Sequence, residues 1–78
     1  MREVASQVVL CRLADVRKKK GLSQEDLAAR LGVCRQTIIR FEAGKRWPKL
    51  DDAVRIATVL GVPIENIWYI EAARTLLS

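Results

Sequence analysis

Four glycines, Gly21, Gly32, Gly44 and Gly61, divide this chain into lengths that suit helices and little else. Each follows a stretch with helical apolar spacing, where a helix commonly stops in a left-handed turn. The two prolines, Pro48 and Pro63, stand a few residues past a glycine, where proline is compatible with a helix start. Strand-like alternation of β-branched residues is missing. The expectation is an all-α fold of five helices.

The first helix is expected from Val4 or Gln7 to Lys20, with Val9, Leu13 and Val16 on its buried stripe. Ser23 caps the second, and Asp26, three residues on, answers it in capping-box fashion. Leu27, Ala28 and Leu31 form that helix's apolar side, and Gly32-Val33-Cys34 makes a tight connection. A third helix, from Arg35 to Ala43, points Ile38 and Phe41 inward and turns Arg35, Gln36, Ile39 and Arg40 outward. The fourth, from Leu50 to Leu60, has Asp51 and Asp52 near its N-terminal dipole. Leu50, Ala53, Val54, Ala57 and Leu60 are its expected core face. The last helix starts near Pro63 and extends as far as Leu77. Neither repeat nor linker interrupts the 78 residues, so one domain is expected, with a core over 8–68 and an extension over 69–78.

Composition narrows the function classes. The net charge of +5 is uneven: residues 1–49 carry 12 Lys or Arg against 5 Asp or Glu, whereas residues 50–78 carry 2 against 4. Such polarity suits one face turned to a polyanion, although basic side chains also serve simply to solvate helices. No run of apolar residues approaches the ~18 needed to cross a membrane. Cys11 and Cys34 are too few for a disulfide framework, and the absence of histidine leaves no recognisable metal site, so a reducing, cytoplasmic setting is expected. Without a nucleophile–base constellation or a glycine-rich phosphate cradle, an enzyme is the weakest reading, and no cofactor is expected.

The informative stretch is Gly21 to Arg46. Two short helices meet there at a turn of a few residues, Ala28 lets them approach, and Val33 and Ile38 lock the second onto the first. The outer side of the third helix is then free to enter a groove about as wide as a helix. Its side chains suit base edges: arginine bridges O6 and N7 of guanine, glutamine pairs with N6 and N7 of adenine, and an apolar tip suits a thymine methyl. Ile39 has a second reading, a partly buried residue where helices cross. Thr37, Lys45, Arg46 and Lys49, in the first turn or the loop that follows, suit phosphates. Lys18, Lys19 and Lys20 read chiefly as a solvated helix end, and Trp47 as a residue that packs its loop or touches a sugar.

Leu-Ser-Gln-Glu-x-Leu-Ala-x-x-Leu-Gly-Val, followed by Arg-Gln-Thr-Ile and Glu-x-Gly-Lys, resembles the helix-turn-helix of phage repressor and Cro-type regulators. The resemblance runs from about Leu13 through Ile67 and includes Gly61-Val62-Pro63-Ile64-Glu65-Asn66-Ile67, which is similar to the family's entry to its final helix. It implies a lambda-repressor-like domain that binds double-stranded DNA and regulates transcription, usually as a repressor. By position it implies base reading by Arg35, Gln36, Ile39 and Arg40. It gives Gln24 a phosphate-anchoring and bracing role, and pairs Arg17 with Glu42 in a buried or half-buried salt bridge with possible phosphate contact by Arg17. Cys34 departs from the family's Ser or Thr cap, and Ala43 from its common Asn.

One half-site contact is small, so such proteins usually bind a pseudo-palindrome as homodimers. Tyr69, Ile70, Ala73, Leu76 and Leu77 form the expected dimerisation face. An antitoxin, a protein-binding adaptor on the same scaffold, and a restriction–modification controller remain the alternatives.

Overall fold

The computed structural model describes residues 9–70. Four α-helices and one 3-10 turn are joined by a short two-stranded sheet. In chain order they are β1 (Val9–Cys11), α1 (Leu13–Lys19), α2 (Gln24–Leu31), α3 (Arg35–Glu42), α4 (Leu50–Leu60), the 3-10 turn Ile64–Asn66 and β2 (Trp68–Ile70).

The α2–α3 unit follows local chemistry closely. Ser23 Oγ accepts the Asp26 amide at 2.9 Å while the Asp26 carboxylate accepts the Ser23 amide at 3.0 Å, so two of the four open donors of a helix start are met. Those bonds hold the Asp26 carboxyl below its ordinary range, the Ser23 amide contributing most. At the other end Gly32 adopts φ 71°, and the Val33 amide closes onto the Ala28 carbonyl at 3.0 Å. A residue with a Cβ is strained at that φ, which is why glycine ends the helix.

Leu13, Leu27, Ile38 and Ile56, one from each α-helix, and Ile67, just after the 3-10 turn, are fully buried, and Phe41, Leu60, Leu31, Ala28 and Ala57 complete the core. Ala28 is buried in α2, where a larger side chain would press on close-packed neighbours. Cys11, Val16 and Leu22 pack against this cluster from its margin.

Two expectations fail at the ends. Val9 to Cys11 is not a helical turn: the first helix starts at Leu13, and Val9, expected in the core, is 41% exposed. The segment after Pro63 makes a single 3-10 turn, then runs extended, so the all-α, five-helix expectation gives way to four α-helices plus a sheet among the described residues. β1 and β2 pair antiparallel, Val9 with Ile70, Leu10 with Tyr69, and Cys11 with Trp68. The cause is mutual. β-Branched and aromatic side chains on both strands suit a pleat, and each strand satisfies the other's backbone groups. The Arg12 amide donates to the Ile67 carbonyl at 2.7 Å, fixing where the pairing gives way to α1.

α4 has the expected limits but a different inner face. Ile56 is fully buried beside Ala53, Ala57 and Leu60, whereas Leu50 is 77% and Val54 46% exposed. Positions 53, 56, 57 and 60 form one i, i+3, i+4, i+7 stripe, and Val54 lies about 100° off it. Leu50 shares the stripe but lies one turn earlier, beyond the residues that bury the rest.

Candidate nucleic-acid interface

Helix α3 is held by one edge and offered by the other. Ile38 and Phe41 sit in the core, while Arg35, Gln36 and Arg40 are exposed on the opposite side. Ile39 is half-buried, so only part of its side chain is free. The helix therefore presents three long polar side chains in a row, each able to reach beyond the backbone by its own length.

A buried polar fork fixes the far end of α3. Glu42 Oε2 accepts Arg17 Nε at 2.5 Å, and Oε1 accepts both Arg17 Nη2 at 3.3 Å and Gln24 Nε2 at 3.0 Å. Arg17 Nη1 donates to the Leu22 carbonyl at 2.8 Å. One carboxylate thus joins α1, the start of α2 and the end of α3. Both charges are nearly enclosed, with side-chain exposures of 8% and 9%, and the paired geometry offsets much of their desolvation.

This arrangement corrects one assignment. Arg17 was expected to reach phosphate as well as Glu42, but its residue is 7% exposed and its guanidinium is spent on Glu42 and Leu22. Its place is structural. Gln24 is half-buried, and its amide donates toward α3.

The loop after α3 carries the remaining basic side chains. Lys45, Arg46 and Lys49 are all exposed. The Lys45 amide closes onto the Arg40 carbonyl at 3.0 Å, and the Arg46 guanidinium lies 5.9 Å from the centre of the Phe41 ring. Thr37, half-buried in the first turn, shares a small hollow with Arg46 and Arg55. Arg55 is the residue that sequence reasoning missed. Its guanidinium donates to the Leu31 carbonyl and lies 3.7 Å from Asp52, fastening α4 to the end of α2. Its signal was present as the only basic residue of α4.

Cys34 precedes α3 without giving it a side-chain cap. Its sulfur lies 3.3 Å from the Thr37 hydroxyl, and that contact, with the open first-turn amides, lowers the exposed thiol below its ordinary range.

Trp47 is 49% exposed and packs along an apolar hollow rather than into the core. Tyr69 and Ile70, expected on a dimerisation face, are half-buried in β2, with the Arg12 guanidinium 4.8 Å from the Tyr69 ring centre. Ala73, Leu76 and Leu77 lie outside the described residues. Among the described residues no group of acidic, cysteine or histidine side chains is placed to hold a metal, and no helix is long and apolar enough to cross a membrane.

The helix-turn-helix family profile matches residues 13–67. The HTH-type transcriptional regulator MJ0272 of Methanocaldococcus jannaschii is 56% identical over 50 residues, covering 64% of this chain and 76% of that protein. The cryptic phage CTXphi transcriptional repressor RstR of Vibrio cholerae is 34% identical over 56 residues, 72% of this chain and 50% of its own. Among solved structures, the biofilm master regulator SinR in complex with DNA superposes with a TM-score of 0.64 at 27% identity, covering 69% of this chain and 87% of that one.

Proposed function

Since the chain belongs to the helix-turn-helix family of Cro- and phage-repressor-type transcriptional regulators, a family of DNA-binding proteins rather than enzymes, we propose that it is a repressor that reads a specific duplex with α3. The observation that carries this reading is the two-sidedness of α3. Arg35, Gln36 and Arg40 stand exposed on a helix whose other side is locked by Ile38, Phe41 and the Glu42 fork. A rigid helix with free polar tips is what base-edge recognition in the major groove requires.

In this reading Arg35, Gln36 and Arg40 contact bases, and the exposed part of Ile39 meets a thymine methyl. Thr37, Lys45, Arg46 and Lys49 contact phosphates on either side of the groove, and Gln24 sets the height of α3 against the backbone. Two copies of the chain bind one operator, each reading half of it, and occupancy of a promoter blocks transcription. The domain over residues 8–68 does the reading. The SinR–DNA complex, built on the same fold, supports the mode of binding, and RstR, a repressor, supports the outcome.

Selection of bound duplexes from a random pool, run with wild type and Gln36→Ala, tests the assignment. The wild type is expected to enrich a two-fold-related sequence, and the variant to lose preference at one or two base pairs per half-site. Uniform weakening with unchanged preference refutes base reading by Gln36. Affinity should also fall steeply with salt, because each phosphate contact releases a counterion.

A further inference from the structure

Helix α1 carries a basic trough that recognition by α3 leaves unused. Arg12, Val16, Lys19, Lys20, Val62 and Asn66 line a hollow of about 400 Å³. A second hollow, of about 490 Å³, shares Arg12, Val16 and Lys19 with it and adds Asp15 and Lys18. At about 3.6 residues per turn, Val16 and Lys19 stand about 100° and 160° round the helix from Arg17. Arg17 is the side chain that reaches Glu42 on α3. The trough therefore opens away from α3, toward the end of α4 and the 3-10 turn, where Val62 and Asn66 lie.

We propose that this trough docks an acidic segment of another protein, a short stretch with two or more carboxylates beside an apolar side chain. The inference goes beyond the DNA reading and does not depend on it. Charge complementarity is the first argument for this occupant. Arg12, Lys18, Lys19 and Lys20 are exposed, with only Asp15 against them along the trough. Among the described residues no carboxylate forms an ion pair with any of these four, whereas Arg17 and Arg55 each have one. The Arg12 guanidinium is already placed, 4.8 Å from the centre of the Tyr69 ring, and its amide is tied to the Ile67 carbonyl. A carboxylate there meets a planar fork with little freedom left to lose.

Shape is the second argument. A solvated helix end needs charge but no concavity, whereas here half-buried Val16 and Val62 sit among the basic side chains. That apolar floor suits a leucine or isoleucine side chain. A phosphate backbone has no group for it, and Asp15 opposes a run of phosphates, so protein chemistry is favoured over a second duplex. The seven residues of α1 span about 10 Å, the length of three or four extended residues. Nor does this chain supply the charge itself. Residues 1–8 and 71–78 each hold one acid against one arginine, and a second copy brings a net charge of +5.

Peptides selected from a random displayed library test the proposal, with the chain saturated by excess random-sequence duplex so that α3 is covered. Binding of the enriched peptides is then measured by fluorescence anisotropy for wild type, Lys19→Glu/Lys20→Glu and Lys45→Glu, the last a charge reversal in the loop after α3. Lys19→Gln/Lys20→Gln, checked by circular dichroism, separates loss of charge from loss of fold. The expected result is enrichment of acidic sequences that contain an apolar residue. Their dissociation constant should rise about tenfold or more in the double reversal, rise less in the neutral pair, and stay within about twofold in Lys45→Glu. Bound peptide should also shift the backbone amides of Val16, Lys19 and Asn66. Enrichment without an acidic bias overturns the proposal. So does equal weakening by Lys45→Glu, which marks attraction to net charge alone. Acidic peptides that enrich only when duplex is left out compete with phosphates for one surface, and that also overturns it. A chain that prefers no duplex yet holds acidic peptides here sinks only the DNA reading, whereas one that prefers a duplex and ignores acidic peptides sinks only this dock.

Discussion

The two edges of α3 are eight residues of one helix under opposite rules. Along the inner edge Ile38, Phe41 and Glu42 have every neighbour they need, and the reward is rigidity. Along the outer edge Arg35, Gln36 and Arg40 touch little of the protein and are free for something else. The contrast teaches that stability and recognition reside on separate side chains here, so substitutions should divide cleanly into those that unfold the domain and those that blind it.

The largest effect is expected at the fork. Glu42→Ala leaves the nearly enclosed Arg17 guanidinium without its carboxylate, and should lower unfolding free energy by about 3–5 kcal/mol in urea denaturation. A loss under 1 kcal/mol would mean that the pair is not the brace between α1 and α3. Next comes Arg35→Ala on the outer edge. It should leave the urea midpoint nearly unchanged while removing about 1–3 kcal/mol of discrimination against the wrong base in competition binding. A parallel loss of stability would blur the two edges into one.

A smaller gain is expected at the start of the same helix. Cys34 gives no side-chain cap, and Cys34→Ser supplies a better acceptor for the first-turn amides, raising stability by about 0.5–1 kcal/mol. Thermal unfolding of the two proteins measures it. The smallest effect belongs to Asp26. Its carboxyl is lowered in the fold by the Ser23 amide, so its contribution is full above the ordinary carboxylate value of 3.8 and disappears as the pH falls through the lower folded value. Asp26→Asn should therefore flatten the acid limb of the stability curve and leave pH 7 comparisons with a constant offset.

How much of this could be read without coordinates differs by region, for a physical reason. Both limits of α2 and the end of α4 follow from signals within a few residues: the Ser23–Asp26 box, the left-handed Gly32 and the left-handed Gly61. The sheet had no such signal. Three-residue strands carry no readable period, and Val9 pairs with Ile70, 61 positions further along the chain. Apolar character likewise marks Leu50 and Val54 as core material, but burial depends on whether another element stands opposite, and among the described residues none covers them. At the site, the outward set Arg35, Gln36 and Arg40 was legible from helical spacing. The Arg17–Glu42 pair came from family resemblance, while the tie from Arg55 to the Leu31 carbonyl depends on how α4 crosses α2, which no local pattern encodes.

The most direct test of the outward edge is an NMR titration of the isotope-labelled chain with a duplex obtained by selection. Side-chain N–H signals of Arg35, Gln36 and Arg40 should show the largest shifts, and should move differently when the central base pairs of a half-site are changed. Shifts concentrated on Lys18 to Lys20, or an α3 pattern indifferent to base changes, would contradict recognition by this helix.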